Sequence, residues 1–291
     1  MCSMRMTASI ITSRNYGEKH LSFPLTTCFR RVAKQERRSQ HVMYGNGSRL
    51  YDDLMEDEAP YRQWLAWTSA HLDEMNVPAP MIADVGCGTG TLMSMLLSQG
   101  YDVQGIDYSQ EMLAVADEKI RAHNNVTPHL RAQHMSYLQL EKQVDAITVF
   151  CDALNYLYDE EEVRKAFRAF YEHLTSGGCL LFDVHSLLKI QHHFPDRTYG
   201  DADTNVSMIL NSFSVDEVPG VVEHELTFFE RLPNGDYRRF DELHRQRTFS
   251  ITDYKQWLQA AGFQHIEVTA DFTTQPPQAD SERIFFSARK S

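Results

Sequence analysis

The seven residues Asp84-Val85-Gly86-Cys87-Gly88-Thr89-Gly90 constrain this chain more than any other stretch. A short apolar run at 81–85 leads into them, and helical spacing resumes over 91–97 until Gly100 closes it. A strand that empties into closely spaced glycines and then a helix suits a bound ligand. Without a Cβ the backbone turns sharply and approaches what it holds. In open α/β sheets ligands sit in that crevice, at the carboxyl ends of the strands. Asp107 ends the next strand, read at 102–106, 21 residues after Gly86, the spacing at which a carboxylate accepts both hydroxyls of a ribose. A nicotinamide or flavin loop would carry Gly-x-Gly-x-x-Gly, with its third glycine at position 91, and that residue is Thr91. A glycine turn serving packing alone is the competing reading, and the strand context weighs against it.

The rest of the chain supplies the frame. Helical spacing over 51–75 stops at Pro78 and Pro80, which cannot continue a helix. Strands are predicted at 102–106, near 127–131, at 144–150 (a continuous apolar run) and at 179–184, with helices at 110–123 (N-capped by Ser109) and 160–174 and a turn at 176–178. This alternation predicts an α/β fold with a doubly wound, mostly parallel seven-stranded sheet. After His185 the rhythm breaks. Residues 205–250 alternate apolar and polar around a hairpin signal, Pro233-Asn234-Gly235-Asp236, so an antiparallel insertion is expected over 186–250, where an acceptor would bind. A helix at 252–261, ended by Gly262, and strands at 265–269 and 283–288 close the domain, which spans 43–291.

Charge narrows the partners. The net charge is −12, but residues 1–42 carry +6, leaving −18 on the remainder. So acidic a body repels a phosphate backbone, which proteins bind by displacing counterions with Lys and Arg. A small-molecule or protein acceptor fits better than nucleic acid. No stretch has the roughly 18 consecutive apolar residues of a membrane span. Five cysteines without a CxxC pair, three of them in or beside strands, suit reduced thiols in a cytoplasmic protein. The basic, Ser/Thr-rich residues 1–42 read as a disordered tail, with a transit peptide as the other reading.

The Gly-x-Gly-x-Gly spacing, with an acid two residues before the first glycine, resembles motif I of class I S-adenosylmethionine-dependent methyltransferases, and the resemblance extends over most of 43–291. It implies that S-adenosylmethionine is held by Asp84, Gly86, Cys87, Gly88 and Gly90, with Asp107 on the ribose and Tyr108 against the adenine. Met112, His134 and Met135 complete the set; His134 stands where the family often has an acid for the adenine amino group. Cys151-Asp152-Ala153-Leu154-Asn155-Tyr156 lies at the edge of the reaction site and differs from the Asn-Pro-Pro-Tyr motif of nucleobase and amide methylation. Cys151 reads as a wall of that site rather than a nucleophile. Tyr44 and Tyr51, around Tyr51-Asp52-Asp53-Leu54-Met55, resemble a helix lying over the cofactor. Tyr-Asp-x-Leu-Met, Cys-Asp-x-Leu-Asn-Tyr and Phe-Asp-Val-His-Ser together resemble a group of bacterial methyltransferases of small-molecule type.

An oxygen or ammonium acceptor must lose a proton, and His185, at the end of the fifth strand, is the candidate base. A structural role for it is the competing reading. His192-His193 with Asp183 lacks metal-ligand spacing, so no metal is expected. Three functions follow: a methyltransferase, a protein that binds S-adenosylmethionine or S-adenosylhomocysteine without turnover, and an RNA methyltransferase that uses the basic tail.

Overall fold

The computed structural model describes residues 60–215 and 218–291. Tyr44, Tyr51 and the tail 1–42 lie outside the described residues. The first described helix, α1 (Tyr61–Met75), leads to β1 (Met81–Val85), α2 (Thr91–Ser98), β2 (Asp102–Asp107), α3 (Gln110–Asn124), β3 (His129–Ala132), β4 (Val144–Val149), α4 (Glu160–His173) and β5 (Leu174–His185). The chain then forms β6 (Arg197–Ala202), β7 (Val206–Ser214), β8 (Val221–Arg231) and β9 (Tyr237–Arg247). It ends with α5 (Ile251–Ala261), β10 (Gln264–Ala270) and β11 (Arg283–Arg289).

Seven strands form one sheet in the order β10-β11-β5-β4-β1-β2-β3. The pairs β1–β2, β1–β4, β2–β3 and β4–β5 are parallel, and β11 runs antiparallel to both β5 and β10. Both faces are covered. Trp64, Leu92, Met93 and Ile120 pack on one side with Ala146 and Leu181, while Phe167, Tyr254 and Trp257 pack on the other with Ile147 and Phe182. Consecutive residues of β5 therefore bury on opposite faces, which accounts for its nearly unbroken apolar run. Phe182 stacks on Phe286 at 4.7 Å between centroids. Each such fully buried ring contributes roughly 1.5–3 kcal/mol.

Local chemistry sets the boundaries. Ser109 caps α3 by accepting from the Met112 amide, and Ser250 and Asp253 form a reciprocal capping box on α5, which ends at Gly262 in the left-handed region. The turn expected at 176–178 is instead an excursion within β5. The register steps from Val144↔Leu174 to Ala146↔Cys179, and the C-terminal segment holds the extra residues, Gly177 N–H donating to Lys290 C=O at 2.8 Å.

The inserted strands form a separate antiparallel sheet, β6-β7-β8-β9. Val206, Met208, Leu210, Leu226 and Phe228 make its apolar face. Gly235 turns the β8–β9 hairpin at φ 88°. The sequence reading missed β6, whose polar residues Arg197–Ala202 show no buried alternation, and the π-helical turn Lys189–His193 that joins the two sheets. Among the described residues, no helix is long and apolar enough to cross a membrane.

Candidate functional site

The glycine loop bends over the carboxyl ends of β1 and β2. Gly86 and Cys87 donate their amides to the Ile106 carbonyl at 2.7 and 3.1 Å, tying the loop to the neighbouring strand. Gly88 has φ +55°, and a Cβ there would meet nothing within 4 Å; it would project into the cavity that the loop lines. Gly90 does something else. A Cβ on it would stand 3.0 Å from Ala116 Cβ, so its smallness lets α3 pack against the loop. Gly90 is not among the cavity-lining residues.

The cavity has a volume of about 500 Å³. The structure brings Asp84, Gly86, Cys87, Gly88, Asp107, Tyr108, Met112, His134, Met135 and Cys151 to its walls. Tyr108 and His134, both on the cavity wall, meet edge to face at 5.7 Å between centroids. Asp107 accepts from Gly88 N–H at 2.9 Å on one oxygen and from Ser109 N–H at 2.8 Å on the other. An ionised carboxylate offers about four lone-pair positions, so each oxygen keeps capacity for a ligand hydroxyl. Burial raises its pKa and these amides oppose that rise. Burial pushes Asp84 up to about 6, opposed by the Thr148 hydroxyl at 2.7 Å and aided by repulsion from Asp107. Burial and the same two carboxylates push the Cys87 thiol well above its ordinary range, which keeps it protonated and inert as a nucleophile.

Behind the cavity, two motifs that are distant in sequence become one buried cluster. After β4 the chain passes through Cys151 and Asp152 at φ 53° and 51°, two consecutive non-glycine residues in the left-handed region. Asp183, near the end of β5, holds that turn by accepting from Asp152 N–H at 3.1 Å, and also accepts from Trp64 Nε1 at 3.2 Å. Arg283, 2% exposed, bridges both carboxylates, donating to Asp152 at 3.0 Å and to Asp183. Burial works against the Asp152 charge, yet its buried partners, the always-charged Arg283 guanidinium among them, hold its pKa well below the usual carboxylate range. Asn155 accepts from His185 N–H at 2.9 Å and donates to Arg247 C=O at 2.8 Å, stitching the turn to both sheets.

His185 lies in this cluster. It is fully buried and is not among the cavity-lining residues. Its Nε2 is 3.3 Å from Asp152 Oδ2, and Phe194 packs edge-on against the ring at 5.2 Å. Burial lowers its pKa well below the ordinary value, so the ring is neutral near pH 7.

The cavity also has walls that sequence reasoning left unassigned. Tyr61 on α1, Leu92 on α2 and Phe150 after β4 line it, and Tyr158, Asp159 and Glu162 extend it past Cys151 and Tyr156, which the sequence already places at the edge of the reaction site. One available signal was position: residues 151–159 follow the carboxyl end of β4 as Asp107 ends β2, and both ends open on the same crevice.

Comparison with known proteins agrees with this geometry. Residues 82–178 match the family model for a methyltransferase domain. The chain is 46% identical over 250 residues to a protein of Geobacillus sp. (strain WCH70) named as a methyltransferase, covering 86% of this chain and 100% of that one. A crystal structure of a S-adenosylmethionine-dependent methyltransferase from Clostridium acetobutylicum ATCC 824 superposes with a TM-score of 0.76 at 26% identity, covering 84% of this chain and 97% of that chain. The glycine/sarcosine N-methyltransferase of Halorhodospira halochloris is 28% identical over 217 residues, 73% of this chain and 76% of that protein.

Proposed function

We propose, from the premise that this chain belongs to the S-adenosylmethionine-dependent methyltransferases, that its acceptor is the amine nitrogen of a small molecule. The observation that carries this reading is the cavity beyond Cys151, where aromatic and acidic side chains (Tyr156, Tyr158, Asp159, Glu162) stand together. Such a wall attracts an ammonium through its carboxylates and through the faces of its rings. The relative named as a glycine/sarcosine N-methyltransferase supports an amine, and the −18 charge of residues 43–291 disfavours nucleic acid.

The described residues fit the cofactor. Gly88 leaves open space, Asp107 has acceptor capacity for a ribose diol, and Asp84 is a buried carboxylate suited to a cation. When bound, the cofactor supplies a methyl group on a sulfonium that departs as a thioether. The chain supplies alignment and exclusion of water, together worth several kcal/mol of barrier. In this reading Tyr108 and His134 flank the adenine, Met112, Met135 and Cys151 form apolar walls, and Gly90 acts through packing. His185 is read as positioning the turn through Asp152 and Asn155.

Asp107→Ala is expected to weaken S-adenosylmethionine binding roughly 10–100-fold, since charge-assisted hydrogen bonds are lost. Calorimetry showing unchanged affinity would remove Asp107 from the ribose site. The acceptor itself is tested by incubating the protein with S-adenosylmethionine and a panel of primary and secondary amines, alcohols, carboxylates, peptides and RNA. N-methylated small amines are the expected products by mass spectrometry; methylation confined to peptides, RNA or oxygen acceptors would refute the reading.

A further inference from the structure

Resting on that amine reading, we infer that Tyr156, His244 and Glu242 form a proton relay leading from the methyl-acceptor cavity into the antiparallel sheet. Tyr156 ends the short 3-10 turn Ala153–Tyr156 that follows the strained Cys151-Asp152 pair, and it lines the cavity. Its hydroxyl is 3.0 Å from His244 Nδ1, and His244 Nε2 is 2.9 Å from Glu242 Oε2. Glu242 and His244 sit two residues apart on β9, a spacing that points both side chains to one face. His244 is buried, 2% exposed, and the Glu242 side chain is largely shielded, 11% exposed.

The geometry sets the direction of the relay. An ionised carboxylate only accepts, so the imidazole hydrogen is on Nε2 and the Nδ1 lone pair faces the phenol. Tyr156 therefore donates to His244. Among the described residues, the neighbouring titratable and charged groups are neutral or engaged elsewhere. His224 lies directly across on β8, and burial pushes its pKa down to about 3, so it stays neutral. Asp152 is engaged by Arg283 and by Gln246, which donates to it at 2.7 Å. Arg245 and Arg247 lie over the Tyr158 ring at 5.2 and 5.8 Å.

An ammonium has no lone pair for attack. Its proton passes to Tyr156 Oη as the phenolic proton passes to His244 Nδ1, leaving a neutral amine and an imidazolium balanced by Glu242. The amine pair then forms the N–CH3 bond while the S–CH3 bond breaks and its electrons remain on sulfur. His244 returns its proton through Tyr156 to water once the product has left. Tyr156 is the catalytic residue; His244 and Glu242 act through it.

The test pairs turnover with a readout that needs no acceptor. Tyr156→Phe and His244→Gln are expected to bind S-adenosylmethionine as the wild type does. At pH 7.5 they should methylate the amine identified by the panel about 100-fold more slowly, within the range of a lost general base. Their rates should climb with pH and close the gap near pH 10, where an aliphatic amine arrives deprotonated. Glu242→Gln should fall between the variants and the wild type. Nitrogen-15 NMR of histidine-labelled full-length protein should show His244 as the Nε2–H tautomer, with the Nδ1 resonance shifting in Tyr156→Phe. Wild-type rates with an unchanged pH profile, or an Nδ1–H tautomer, would overturn the relay. If the wild type turns over none of the amines, the acceptor reading fails instead, and the tautomer alone decides the relay.

Discussion

Arg283→Met is expected to lower stability by about 3–5 kcal/mol, the usual consequence of removing one partner from a buried ion cluster. Methionine fills much of the space, but it leaves Asp152 and Asp183 facing each other, both fully buried, with no guanidinium between them. The guanidinium also lies 5.2 Å over the Trp64 ring, so α1 loses a contact with the sheet. The melting temperature should fall by roughly 10 °C, and Asp183→Asn in the same background should recover part of the loss by removing a charge. Turnover should fall further than stability predicts, because the cluster holds the left-handed turn at Cys151 and Asp152 that aims Tyr156 at the cavity. A loss below 1 kcal/mol by chemical denaturation would show that the cluster is not strongly coupled to folding.

Asp84→Asn should move stability and binding in opposite directions. In the folded chain burial lifts the Asp84 pKa to about 6; in the unfolded chain it lies near 4. The folded state therefore binds the extra proton between these values, and stability declines as pH rises through that window. The penalty is absent below about pH 4, complete above about pH 6, and on the order of 3 kcal/mol. Asparagine cannot ionise and still accepts the Thr148 hydroxyl, so the variant should be about 2–3 kcal/mol more stable at pH 7.5 and no more stable at pH 4. Its affinity for S-adenosylmethionine should fall roughly 10–100-fold, because the buried charge that opposes the ligand's cations is gone. A variant that gains no stability at pH 7.5, or binds as tightly as the wild type, would contradict this account of Asp84.

The parallel sheet and its glycine crevice were legible in the sequence because their determinants are local. β1 and β4 are largely apolar runs buried on both faces, Ser109 caps a helix through a residue three positions away, and Gly86 and Gly88 adopt the positive φ that glycine alone adopts without strain. Most of the cavity wall followed, since any residue at the carboxyl end of these strands opens on one crevice. β6 was not legible, because its polar residues bury no regular face and its pairing comes from β7.

The sequence by itself determined the class of fold, the place of the glycine-lined crevice and the family. The position of His185 at the end of β5 was legible too, but its surroundings were not. Phe194 and Thr248, 9 and 63 residues further along the chain, meet its ring and its carbonyl. The tertiary structure alone decided which charges share Arg283 and which histidine stands behind Tyr156. Asp152 and Asp183 are 31 residues apart and Arg283 lies a further 100 along the chain, while His244, on the inserted sheet, reaches Tyr156 across 88 residues of chain. Contacts of that separation leave no period in the sequence. They arise when folding brings separate elements together, and burial then requires each enclosed polar group to find a partner.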